Sequence, residues 1–429
     1  MNAGSARRRY LLVSFLTWLP AALSMAVMVL LMTERGLSLA EIGLATTVFS
    51  VVTIGLELPT GGLADVVGRR AVLAVSAAVS VVAMVLMAFS TTLWMFLVTG
   101  VLKGIARALS SGPADAWYVD TLHRIEGPDA DLKPGLAGGS AMGSVALALG
   151  VLAGGFVPLA VPEKLILPLA VPPLLGAGAA AVLLAVVVVA MPEPQRGRRT
   201  PAGVLREVPA TVVAGARMAL GRGLLRRLML AAVATGVALT AVELLTPGRL
   251  AGLTSSPTLG SSAYAVVAAL GFAGSALGSA AAPRLARLTR GSVRGAMAGI
   301  VVTATSLAAL AASAGLAGLA GIVAAALAYV AMFAGLSAGQ VLCMELTHKA
   351  VTAAERTTLT SVASLAQQAG GALSNLLFGV LAGLFGTAAA WSVAAVVVLA
   401  SAGLFVRMPA TSRAADPAAR SATGSRASG

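Results

Sequence analysis

GGLADVVGRR, residues 61–70, decides how this 429-residue chain is read. Two glycines, Gly61 and Gly68, bracket a single acid, Asp65, and the run closes on Arg69 and Arg70. On either side lie apolar stretches near 42–63 and 71–89, each about as long as the roughly 20 residues needed to cross a bilayer. A tight turn between two packed helices uses glycine for close approach and for unusual dihedrals. Asp65 stands where the first helix leaves the membrane. There it can cap or face the N-terminus of a neighbouring helix, whose dipole favours an anion. Arg69 and Arg70 hold the turn on one side of the bilayer and can meet lipid phosphates.

The rest of the chain repeats this alternation. Apolar residues make up 58% and charged residues only 11%, against about 25% charged in soluble domains. Twelve apolar stretches, numbered here as helices 1 to 12, run near 10–32, 42–63, 71–89, 93–113, 135–157, 164–190, 228–247, 260–282, 295–313, 316–341, 358–384 and 387–406. Gly315 and Gly318 are the only punctuation between helices 9 and 10. Helix 1 follows Arg7, Arg8 and Arg9 as a secretory signal would, but it is too long for a typical signal core and eleven similar segments follow. The expectation is an all-α integral membrane protein in two pseudo-symmetric six-helix halves. The N-terminal half occupies 1–190, a basic connecting loop 191–227, the C-terminal half 228–408 and a disordered tail 409–429.

Charge placement orients the chain. The formal net charge is +14, from 30 Lys and Arg against 16 Asp and Glu. With the N-terminus in the cytoplasm, only Arg35, Lys164 and Arg249 fall in outer loops, and helix 4 holds Lys103 and Arg107. All other basic residues lie in inner loops and tails, as the positive-inside rule asks. The connecting loop alone carries Arg196, Arg198, Arg199, Arg206, Arg217, Arg222, Arg226 and Arg227, suited to orientation and to anionic headgroups. An even number of spans puts both termini inside. One cysteine, Cys343, excludes an intrachain disulfide, and two distant histidines, His123 and His348, argue against a metal site. No nucleophile–base pair or phosphate loop suggests an enzyme. Basic charge spread over interhelical loops does not make a nucleic-acid surface.

The 61–70 run resembles the loop between helices 2 and 3 of the major facilitator superfamily, roughly G-x-L-a-D-R-x-G-R-R/K. Gly61, Leu63, Ala64, Asp65, Gly68, Arg69 and Arg70 match, while Val66 replaces the usual basic residue. The resemblance covers about 10–408. It implies two six-helix halves that alternate access to a central site, with Asp65 gating against helix 11, here beginning near Arg356. In the second half, GSAAAPRLARLTRG (278–291) occupies the equivalent place, with Gly278 aligned to Gly61 and Ala282 to Asp65. The gate is therefore expected to be asymmetric. Glu57-Leu58-Pro59-Thr60-Gly61 and SGPADAWYVD (111–120) resemble segments of bacterial facilitators. The Arg-x-x-Gln-Gly pattern of drug/proton antiporters is absent from helix 4, where Gly100 and Lys103 stand. Gly150 to Gly155 resembles the glycine-rich antiporter motif of helix 5 without its proline, and is equally explained by close helix packing.

Charges inside a membrane cost about 2.5–3.5 kcal/mol each at mid-helix and mark functional candidates. Glu57, Lys103, Arg107 and Glu243 are such charges. Lys103 and Arg107, four apart, share one face of helix 4. Glu57 is the expected partner of Arg107 by depth, with Asp115 as competitor. Glu243, just before Thr246-Pro247-Gly248, reads either as a headgroup-level carboxylate or as a protonatable group at a cavity mouth. On helix 11, Ser364, Gln367, Gln368, Gly371 and Asn375 form a polar stripe, either bonding between helices or touching substrate. Trp18, Phe15, Tyr264 and Tyr329 read as packing or lipid-facing residues.

Together these features point to a monomeric transporter in the inner (cytoplasmic) membrane. Its partners are the bilayer, a small molecule and protons, and it needs no cofactor beyond a proton gradient. Few fixed charges in the cavity favour a small, largely apolar compound, such as a drug or secondary metabolite, moved by efflux. The alternatives are uptake by symport, or a transport-inactive facilitator fold acting as sensor or scaffold.

Overall fold

The computed structural model describes residues 1–164, 166–192, 217, 220–254, 256–351 and 353–406. Most of the basic connecting loop, including Arg196, Arg198, Arg199 and Arg206, and the tail 409–429 lie outside the described residues. So do the side chains of 58, 59, 61–63, 65 and 353–358 within helices.

Among the described residues, twelve helices are long and apolar enough to cross a membrane. They are spans 1 to 12: Ala3–Glu34, Leu39–Glu57, Arg69–Phe89, Leu93–Glu126, Lys133–Ala160, Pro168–Ala190, Gly223–Thr254, Pro257–Leu288, Ser292–Ser313, Gly318–Lys349, Leu359–Phe385 and Thr387–Phe405. Spans 9 and 10 are separate, parted at the glycines that punctuate the sequence there. Several spans are longer than their apolar cores. Span 7 continues through Pro247, and span 10 runs about two turns past the expected end near 341.

Spans 1 and 4 are broken. Span 1 unwinds between Met25 and Met28. Span 4 stops at Ser110 and restarts at Pro113 after Gly112 takes a left-handed conformation with φ 94°. Proline in the first helical turn costs no hydrogen bond, so the chain resumes a helix that carries Asp115 in its first turn.

The 61–70 run is shorter as a turn than its sequence suggests. The helix of span 2 continues to Val67, and Arg69 already starts span 3. Only Gly68 makes the turn, at φ 132°, a value open to glycine. In the second half, 278–288 is likewise helical, and Arg290 and Gly291 make the turn.

Apolar packing shows which end of the molecule is closed. One cluster joins both halves at the end opposite the 61–70 turn. It combines Val29, Met32, Ile42, Phe96 and Val151 with Val242, Leu245, Tyr264, Phe378 and Trp391. Toward the turn end the halves keep separate cores. Tyr10, Leu73, Trp117 and Val187 belong to the first, and Leu225, Ala282, Leu342 and Leu359 to the second. Small residues let spans of opposite halves approach closely, the usual route to association in lipid. A Cβ on Gly43 of span 2 would sit 2.2 Å from the Asn375 carbonyl oxygen of span 11. Ser261 and Ser262 of span 8 donate to the Gly155 carbonyl of span 5, each at 3.0 Å.

Candidate transport cavity and buried charges

A cavity of about 490 Å³ opens within the second half, lined from spans 7 to 12, on the turn side of the shared cluster. Ser364, Gln367 and Gln368 of span 11 line it, opposite Met229 and Thr235 of span 7, Ser275 of span 8 and Gln340 of span 10. The lining intersperses apolar residues with Ser and Thr hydroxyls, three glutamine amides and one imidazole, His348. Gln340 donates to Gln367 at 3.4 Å, and the Ser275 and Ser337 hydroxyls share a hydrogen bond of 2.5 Å. Two members of the expected polar stripe thus line the cavity as amides. Asn375 does not. It lies where Gly43 presses span 2 against span 11, and its side chain adds nothing to the lining. Gln340, Ser275 and Ser337 were not singled out in the sequence. Single polar residues in long apolar runs carry no periodic signal, and Gln340 stands at the expected end of its helix.

Glu57 crosses between halves. Its Oε2 accepts from Gln368 Nε2 at 2.6 Å, and the same amide nitrogen reaches Ser364 Oγ at 3.3 Å. The expected Glu57–Arg107 ion pair is not formed. Among the described residues no carboxylate lies within 4.0 Å of Arg107, although the Glu57 charge is close enough to act on it. Its guanidinium instead sits 4.3 Å over the Trp18 ring, where the electron-rich face attracts a cation. Asp115 is not its partner either, because it accepts from Tyr10 Oη at 2.7 Å. The break at Gly112 explains this: it starts a new helix and takes Asp115 off the face that carries Arg107. Lys103, one turn before Arg107, has Met28 Sδ 3.3 Å from its Nζ and the Phe49 ring centroid at 5.9 Å.

Arg69 and Arg70 are more than topology markers. Arg69 bonds the Ala116 carbonyl and the Asp120 carboxylate in the second segment of span 4. Arg70 bonds the Val188 carbonyl at the end of span 6. The two arginines thus clamp the start of span 3 to spans 4 and 6. Asp65 is placed by its backbone, one turn before Gly68. Its side chain, like that of Arg356, lies outside the described residues, and the Gly61 surroundings do too.

Glu243 is not at a helix break. Because span 7 continues to Thr254, roughly 16 Å of helix separates Glu243 from that end at 1.5 Å per residue. Pro247 has no N–H to give the Glu243 carbonyl, four residues back. Ala232 and Thr235 line the cavity, and helical spacing carries their face through Leu239 to Glu243. Glu243 is accessible on an otherwise largely buried span, and its charge reaches Tyr264 and Tyr329. Both tyrosines are 1% exposed and meet edge to face at 6.3 Å, packing residues as expected. The Thr246 Oγ1 hydroxyl is buried without a hydrogen-bond partner among the described residues, a cost proteins rarely accept without water or a ligand nearby.

The profile of the Major Facilitator Superfamily matches residues 10–354. No curated protein sequence matches. Among solved structures, the nucleoside transporter NupG aligns at 12% identity with a TM-score of 0.74, covering 94% of this chain and 100% of that one. An inward-facing bacterial homologue of the human lysosomal transporter Spinster aligns at 15% identity and 0.72, covering 94% and 95%. A D-xylose-proton symporter aligns at 16% identity and 0.70, covering 95% and 98%. These identities speak for shared architecture alone.

Proposed function

Since the chain belongs to the major facilitator superfamily, and is thus a multi-pass secondary transporter and not an enzyme, we propose that it exports a small, largely apolar compound in exchange for protons. The observation that carries this reading is the cavity. Its wall, apolar residues interspersed with hydroxyls, three glutamines and His348, suits a small cargo recognised by shape and hydrogen bonds. Glu243 continues one cavity-lining face of span 7, where a carboxyl group can take up and release a proton as access alternates. A Cβ on Gly154 would lie 1.9 Å from the Leu23 carbonyl oxygen, so the glycine-rich run packs spans 1 and 5 closely, an arrangement compatible with exchange and with symport.

In this reading both termini and the basic loops face the cytoplasm across the inner membrane. The closed end is then the outer one, and the structure is open inward. Asp65, Gly68, Arg69 and Arg70 form the inner gate, with Arg69 and Arg70 holding the frame. The protein works as a monomer.

Accumulation assays test the proposal. Cells lacking their main efflux pumps, with and without this protein, are loaded with a panel of lipophilic dyes and antibiotics. Export predicts lower accumulation of a subset, reversed by collapsing the proton gradient and by Asp65→Asn. A second reading, proton-driven uptake, is favoured by the likeness to a D-xylose-proton symporter. It predicts higher accumulation of a subset under the same gradient.

A further inference from the structure

The two cations of span 4 do not fit a cargo without charge. Lys103 lies about 15 Å into span 4 at 1.5 Å per residue. Its ammonium touches a thioether, Met28, and faces the Phe49 ring. Among the described residues no carboxylate comes within 4.0 Å of it. Sulfur and ring faces tolerate an ammonium without neutralising it. Arg107, one turn on, lies over Trp18 in the same condition. The one acid that acts on Arg107, Glu57, is already hydrogen-bonded to Gln368. Two positive charges therefore share at most one negative charge, on one helix face at membrane depth. Charges in such places pair with one another or mark a substrate pathway. The link to the cavity runs through Glu57, whose partner Gln368 lines it; Lys103, Arg107, Trp18, Met28 and Phe49 stand outside that lining.

We propose that Lys103 and Arg107 bind the anionic group of the cargo, a single carboxylate or sulfonate on an apolar body, with Trp18, Met28 and Phe49 flanking that body. The assignment rests on the transporter reading above and narrows its substrate to monovalent organic anions. Lys103 supplies a compact point charge, and Arg107 a planar fork whose donors match two carboxylate oxygens. Glu57, whose charge acts on Arg107, disfavours a second negative charge on the cargo.

Three probes that share one ring system and differ in charge test this with the full-length protein in detergent: radiolabelled 1-naphthoate, 1-naphthalenemethanol and 1-naphthylmethylammonium. The expected result is saturable binding of naphthoate at least about tenfold tighter than of the other two, the size of one charge-assisted hydrogen bond. Lys103→Met should remove that advantage while leaving the alcohol unchanged, and Lys103→Arg should keep most of it. Arg107→Gln gives a second route if Lys103→Met does not yield monodisperse protein. Naphthoate binding no tighter than the alcohol or the amine, or lost in parallel with both in Lys103→Met, overturns the assignment. Flux of the same probes in proteoliposomes separates the two claims. If the amine or the alcohol is carried while naphthoate does not bind, the anion site is wrong and the transporter stands. If naphthoate binds through Lys103 but never crosses under a pH gradient, the site stands and the transport reading is wrong.

Discussion

Gln368 Nε2 donates to Glu57 Oε2 at 2.6 Å and so ties span 11 to span 2 across the two halves. Its position matters more than its strength, because a bond between halves is sensitive to their relative motion. Interhelical hydrogen bonds in membranes contribute about 0.6 kcal/mol on average and up to about 1.7. A double-mutant cycle of Glu57→Ala and Gln368→Ala should therefore show a coupling of about 0.6–1.7 kcal/mol in reversible unfolding, where independent residues would add. Arg107→Ala should couple to Glu57→Ala less strongly than Gln368→Ala does, since Arg107 stacks on Trp18 and makes no ion pair with Glu57.

Close backbone approach sets a second expectation. Gly154→Ala would push a methyl to 1.9 Å from the Leu23 carbonyl oxygen, whereas Gly178 in span 6 has nothing within 4 Å of a Cβ. Gly154→Ala should destabilise by about 1–3 kcal/mol, the usual cost of overpacking. Gly178→Ala should stabilise by roughly 0.5–1 kcal/mol through helix propensity. Thermal melting in detergent should move the two variants in opposite directions.

Much of this architecture is written in apolar length. Twelve runs of about 20 residues announce the spans, and even the faint punctuation at Gly315 and Gly318 marks a true helix boundary. The helix ends are less legible. Pro247-Gly248 looks like a break, yet span 7 passes through it, because the freed carbonyl at Glu243 is tolerated inside a packed bundle. Pairing inside the membrane was the least legible feature. Depth alone matches Glu57 to Arg107, but rotation about the helix axes turns Arg107 onto Trp18 and Glu57 toward Gln368. A single helix carries no record of that rotation. The left-handed Gly112 likewise sends Asp115 to Tyr10, a contact between residues far apart in sequence.

Coupling gives the third prediction. With Glu243 as the proton carrier, Glu243→Gln should abolish transport driven by a pH gradient while leaving substrate binding and counterflow exchange near wild-type levels. Unchanged gradient-driven flux in proteoliposomes would remove Glu243 from the mechanism and return attention to Glu57.

The orientation is open to direct labelling. In a Cys343→Ala background, single cysteines at Ser38 and Pro162 should react with an impermeant maleimide added to intact cells. Those at Gly127 and Ser292 should react only after the membrane is opened. Labelling of the second pair in intact cells would reverse the assignment of inside and outside.

Alternating access itself is tested most directly by spin-label distances measured at both ends of the same protein. Ile125 and Leu288 report the 61–70 end, and Trp94 and Leu319 report the opposite end, one exposed site from each half in each pair. The account predicts two populations whose distances change in opposite senses, long at the 61–70 end when short at the other, as in this structure, and the reverse. Asp65→Asn should enlarge the population shown here, because losing a dipole contact of roughly 0.3–1 kcal/mol weakens closure at that end. Distances that stay fixed at both ends across pH and in Asp65→Asn, or that lengthen and shorten together, would contradict it.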